Sequence, residues 1–100
     1  MSQPLFKKVA FIGLGLIGSS LARVIVAEQL ASQIVAATRS KKTLDDAKAL
    51  GLIQQGYASP EEAVQGADLI VLALPVRATQ KVLEQIKPYL AENVIITDVG

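Results

Sequence analysis

The chain has 100 residues, with 10 lysines and arginines against 9 aspartates and glutamates, a formal net charge of +1, and neither cysteine nor histidine. That length suits one domain able to bury roughly two-thirds of its unfolded surface, and the near-balance of charge argues against a nucleic-acid partner. A disulfide framework and a thiolate metal site are excluded, and the commonest metal ligand and neutral-pH acid–base group are missing, so no metal ligand is assigned. The start, Met1 to Lys8, lacks the apolar core and cleavage site of a signal peptide, and no apolar run approaches a membrane span. A cytoplasmic location with no membrane partner is expected.

The first predicted strand runs from Lys7 to Ile12 and enters Gly13-Leu14-Gly15-Leu16-Ile17-Gly18, a G-x-G-x-x-G sequence. Between a strand and a helix the three glycines have separate tasks. Gly13 turns the chain sharply out of the strand, Gly15 leaves room for a pyrophosphate to approach the backbone, and Gly18 lets the helix pack close to the strand. The helix, predicted from Leu16 to Leu30, then points its unpaired N–H groups and positive dipole end at the phosphates. Ile17, Leu21, Val24 and Ile25 have the spacing of its buried stripe. Gly13, Gly15, Leu16, Ile17 and Gly18 are therefore candidate cofactor-binding residues.

The second predicted strand, Gln33 to Thr38, decides which dinucleotide. An NAD site usually has Asp or Glu at this strand end, about twenty residues past the glycines, to hold the adenosine ribose. Here the sequence is Thr38-Arg39-Ser40-Lys41-Lys42, with no carboxylate. Arg39 donates in parallel to phosphate oxygens and Ser40 adds a third donor, which suits the 2′-phosphate of NADP. Use of NAD, or a merely solvated basic loop, is the alternative.

A helix follows from about Leu44 to Leu50, with Gly51 placed as its C-terminal cap, then a short third strand near Gln55 to Ala58. Ser59-Pro60-Glu61-Glu62 signals a helix start, and Gly66 ends that helix. Asp68 to Leu74 is the next strand. Val76 to Lys87 is the last helix, with Val82, Leu83, Ile86 and Leu90 facing inward and Pro88 limiting it. Val94 to Asp98 closes the set as a buried strand. Strands alternating with helices imply right-handed crossovers and a doubly wound parallel α/β sheet of the Rossmann type.

Ligands of such sheets bind at the carboxyl ends of the strands. Besides the glycine loop, Leu74, Pro75 and Val76 are expected there as the cofactor floor, Pro75 being otherwise an ordinary proline that starts a helix, with Arg77 either on the helix surface or reaching a ligand. Asp98 could orient a ribose, a water or a neighbouring loop, or be a plain strand-ending turn residue. The hydrophobic share of 51% and mean hydropathy of +0.41 fit strands covered on both faces. With a chain that stops where a core strand ends, they also suggest the N-terminal part of a longer protein.

Gly13-Leu14-Gly15-Leu16-Ile17-Gly18-Ser19-Ser20-Leu21-Ala22, Leu74-Pro75-Val76-Arg77 and Ile96-Thr97-Asp98-Val99-Gly100 occur in the order found in prephenate dehydrogenases. The chain resembles that family, which includes the arogenate and cyclohexadienyl dehydrogenases of tyrosine biosynthesis, from Lys8 to Gly100. It departs at Ser19, where many members have glycine, and at Thr38, where many NAD-using members have aspartate. The resemblance implies oxidative decarboxylation of prephenate or arogenate with hydride transfer to a nicotinamide. It also implies a following helical domain that supplies a histidine, a substrate-binding arginine and a homodimer interface. No catalytic residue is assigned within residues 1–100, and the chain alone is expected to bind cofactor without catalysis. Related dehydrogenases of the 3-hydroxyisobutyrate or 6-phosphogluconate type and a non-catalytic nucleotide-sensing domain are the competing readings.

Overall fold

In the computed structural model, which describes residues 4–99, strands and helices alternate along the chain. They are β1 (Phe6–Ile12), α1 (Gly15–Ala27), β2 (Ala31–Ala37), α2 (Lys41–Ala49), β3 (Gln55–Tyr57), α3 (Pro60–Val64), β4 (Leu69–Leu72), α4 (Val76–Ile86) and β5 (Ile95–Asp98), with a 3-10 turn at Lys87–Tyr89. Every pairing is parallel and the order is β3-β2-β1-β4-β5. This is the expected doubly wound Rossmann-type sheet. Gly100, the last residue of the Asp98-Val99-Gly100 ending, lies outside the described residues.

Successive strand side chains point to opposite faces, so each strand feeds two cores. Val9, Phe11, Ile34, Ala36 and Val71 pack under α1 and α2 with Ala22, Ile25 and Ala47. Ala10, Ile12, Val35, Ala37, Ile70 and Leu72 pack on the other face with Ala63, Val64 and Ile86 of α3 and α4. Burial on both faces is why these strands read as unbroken apolar runs. The chain moves outward from β1 to β3, returns through α3 and leaves the other way through β4, so the direction switches between β1 and β4.

Local signals start and stop the helices. The Oγ atoms of Ser59 and Ser40 accept the backbone N–H of Glu62 and Thr43, both at 3.2 Å, satisfying first-turn donors of α3 and α2. Gly51 and Gly66 follow α2 and α3 with φ of +75° each, a conformation that glycine adopts without steric cost. No helix among the described residues is long and apolar enough to cross a membrane.

Three expectations need correction. α1 buries Gly18, Ala22 and Ile25, whereas Ile17 and Val24 are 60% and 52% exposed. Only Gly13 and Leu14 separate β1 from α1, so the helix axis lies close to the sheet and its small residues face inward. The nearly all-apolar helix left this rotation open in the sequence. α2 begins at Lys41 rather than Leu44, because the Ser40 cap, typically worth about 1 kcal/mol, outweighs the unfavourable placement of lysines at a helix N-terminus. Among the described residues β5 is an edge strand rather than a buried one: Ile95 and Ile96 are 55% and 37% exposed, since β4 is the partner it has there.

At the amino end of the sheet, Asp68 binds the start of β4 to β1. Its carboxylate accepts the backbone N–H groups of Lys7 and Lys8 at 2.8 and 2.7 Å, while its own N–H donates to the Lys8 carbonyl at 3.0 Å. Desolvation raises the carboxyl pKa, but the two N–H donors and the nearby Lys7 charge prevail and hold it below the ordinary 3.8. A lowered native pKa stabilises the fold fully above that ordinary value, and the contribution disappears as the pH falls through the lower native one. Asp68→Asn should cost about 1–3 kcal/mol at neutral pH. Urea unfolding should also show the variant losing part of the wild type's steepening of stability loss below pH 4; an unchanged midpoint and pH profile would refute the clamp.

Candidate functional site

The carboxyl ends of the strands are in register. Ile12 lies opposite Ala37 and Leu72, Ala37 opposite Tyr57, and Leu72 opposite Asp98. The segments that leave these positions therefore share one edge of the sheet: the glycine loop, Thr38 to Ser40, Leu74 to Val76, and Asp98.

Gly13 has φ +78°, and its N–H donates to the Ala37 carbonyl at 2.7 Å, tying the turn to the end of β2. A Cβ on Gly13 would lie 2.5 Å from the Ala73 carbonyl oxygen and 3.0 Å from Leu74 Cδ2. A Cβ on Gly18 would lie 3.0 Å from Ala73 Cβ. Both glycines thus let the loop and helix press against the exit of β4. Gly15, by contrast, has φ +55° and nothing within 4 Å of a Cβ position. The middle glycine faces open space.

Leu14 precedes α1, is 3% exposed and provides no side-chain cap, and no acidic residue stands in the first turn. The initial N–H groups of a helix have no intrahelical acceptors, and its dipole is positive there. With the open approach at Gly15, this terminus fits a pyrophosphate. Leu16 and Val76, in the first turns of α1 and α4, are 87% and 81% exposed, so apolar side chains stand on the surface at both helix starts. Leu74 is half-buried and packs on the second core. Pro75 is exposed and begins α4, where its carbonyl accepts the Ala78 N–H at 2.9 Å and the Thr79 hydroxyl at 3.3 Å. Arg77 is exposed on α4. Asp98 is exposed and already takes part in an interaction within the fold.

At the end of β2, Thr38 is half-buried, and its Oγ1 accepts the Ser40 N–H at a long 3.5 Å. Since Ser40 Oγ accepts from Thr43, its hydroxyl proton remains available to a ligand. Arg39 is exposed and lines, with Thr38, a groove of about 310 Å³ between α2 and the end of β3. The sequence left Lys41 and Lys42 undistinguished. Lys41 lines the groove, whereas Lys42 pairs with Asp46 at 2.8 Å, which raises its pKa. Sequence reasoning missed Asp45, Lys48 and Ala73. The first two stand four and seven residues after Lys41, a spacing that becomes legible once Ser40 is taken as the cap.

The glycines make separable demands. Gly13→Ala and Gly15→Ala both carry a left-handed backbone penalty of roughly 1–2 kcal/mol, but only Gly13→Ala meets a carbonyl oxygen. Chemical denaturation should show Gly13→Ala as clearly the more destabilised; equal losses would mean that the Ala73 approach relaxes freely.

Residues 8–99 match the protein family described as NADP oxidoreductase, coenzyme F420-dependent. The chain is 41% identical over 95 residues to a cyclohexadienyl dehydrogenase of Zymomonas mobilis subsp. mobilis, covering 95% of this chain and 32% of that protein. It is 38% identical over 98 residues to a prephenate dehydrogenase of Lactococcus lactis subsp. cremoris, covering 94% of this chain and 26% of that one. The crystal structure of Synechocystis arogenate dehydrogenase superposes with a TM-score of 0.81 at 29% identity, over 93% of this chain and 32% of that one. The chain thus spans about a third or less of each relative. These likenesses, with the glycine loop at the sheet's switch point, make this chain a member of the coenzyme F420-dependent NADP oxidoreductase family and a nucleotide-binding domain homologous to those of the prephenate and arogenate dehydrogenases.

Proposed function

We propose that the domain binds NADP in preference to NAD and serves a dehydrogenase that oxidatively decarboxylates prephenate or arogenate in tyrosine biosynthesis. The observation that carries the cofactor preference is Thr38-Arg39-Ser40 at the end of β2, a segment with no carboxylate of its own to hold an unphosphorylated ribose. The Arg39 guanidinium and the Ser40 hydroxyl donate to that phosphate. The backbone of Gly13, Gly15 and Gly18 and the start of α1 hold the pyrophosphate. Leu16, Ile17, Leu74, Pro75 and Val76 line the nicotinamide side and keep water from it, and Asp98 orients the ribose side. When bound, the dinucleotide supplies the hydride acceptor.

Aromatisation of the substrate ring favours the reaction strongly, so the protein's main tasks are orientation and removal of the hydroxyl proton. In this reading the proton acceptor, the substrate-binding arginine and the homodimer interface belong to a helical portion of the protein outside these residues, and the enzyme works in the cytoplasm. The 41% identity to a cyclohexadienyl dehydrogenase over nearly the whole chain supports it.

The protein that carries this domain should reduce NADP in the presence of prephenate or arogenate, followed by nicotinamide absorbance. No turnover with either substrate, with dinucleotide binding intact, would overturn the substrate assignment. Arg39→Ala should weaken NADP binding by about 1.5–3 kcal/mol and leave NAD binding nearly unchanged; equal effects on both would remove the specificity argument. Gly15→Val should abolish binding of both dinucleotides by crowding the pyrophosphate.

A further inference from the structure

The groove beside β2 holds more charge than Arg39 alone supplies. Lys41, Asp45 and Lys48 stand at i, i+4 and i+7 of α2, hence on one helix face, and all three line the groove with Arg39. Lys42 and Asp46 are one residue further round the helix and pair with each other. Arg39, Lys41 and Lys48 make no ion pair or side-chain hydrogen bond with any described residue. Three unneutralised cations therefore share a concave surface with a single carboxylate.

The floor of the groove is apolar. Leu44 lies across β3 so closely that a Cβ on Gly56 would be 3.1 Å from Leu44 Cδ2. Charges above such a floor are screened less than charges surrounded by water. A phosphomonoester carries a charge of about −1.5 to −2 at neutral pH, more than one guanidinium neutralises.

We infer that Lys48 and Lys41 are specificity-determining residues for a 2′-phosphomonoester, acting from the α2 side of the groove that Arg39 also lines, and that Asp45 opposes the same group and lowers its affinity. This rests on the NADP reading above and extends it by assigning residues of α2 with opposite effects. NAD presents only an uncharged 2′-hydroxyl in place of that phosphate, so its binding is nearly indifferent to the charges of all three.

The test is calorimetric titration of the protein that carries this domain with NADP, NAD and adenosine 2′,5′-bisphosphate, for wild type and for Arg39→Ala, Lys48→Gln and Asp45→Asn. Lys48→Gln should weaken NADP and the bisphosphate about threefold to fivefold and flatten their salt dependence, with NAD unchanged. Asp45→Asn should tighten the two 2′-phosphate ligands about threefold, again without moving NAD. A selective loss with Arg39→Ala beside unchanged Lys48→Gln and Asp45→Asn affinities would overturn this inference and leave the NADP reading standing. No selective loss with Arg39→Ala would overturn both. Equal changes toward NAD and NADP in the Lys48 and Asp45 variants would also overturn the inference, since a general change in charge or folding would then be responsible.

Discussion

The contact on which the site depends is the approach of the first loop and helix to Ala73. Two backbone segments separated by about sixty residues meet there without a side chain between them, because Gly13 and Gly18 have none. The approach sets the distance of α1 from the sheet, and that distance selects Gly18, Ala22 and Ile25 as the buried face. Larger apolar residues are left on the outer side. The same geometry brings the uncapped start of α1 beside the exits of β1 and β4, so tight packing behind the loop produces an open surface in front of it.

A second consequence appears at the end of β2. Ser40 caps α2 with its oxygen lone pair, which leaves the hydroxyl proton uncommitted to that bond. One hydroxyl thus helps to start the helix whose exposed face carries Lys41, Asp45 and Lys48. Helix start and ligand chemistry are coupled there, since a shift of the start by one residue would rotate every cation on α2 by about 100°.

Much of this was legible in the sequence. The glycine spacing, the alternation of apolar runs with helix signals, and the Ser59-Pro60 start point to the succession of elements and a parallel doubly wound sheet through local rules; the strand order itself is a tertiary result. What was not legible depended on tertiary distance. The rotation of α1 follows from how near Ala73 lies, which no periodicity in an almost uniformly apolar helix reveals. The exposure of β5 follows from its having, among the described residues, a neighbour on one side alone. The difference between Lys41 and Lys42 required knowing that α2 starts at Lys41, three residues before the first strong apolar signal at Leu44.

Asp68 sits at the end of the sheet opposite the glycine loop, and its two backbone hydrogen bonds hold the central strands together there. The residues around the groove at the other end, Arg39, Lys41, Asp45 and Lys48, are exposed and outside both cores. The Asp68 anchor and the proposed phosphate groove are therefore separated along the strand axis. In the proposed reading, substitutions at Arg39, Lys41, Asp45 or Lys48 would change the choice of dinucleotide while the end anchored by Asp68 keeps the scaffold intact.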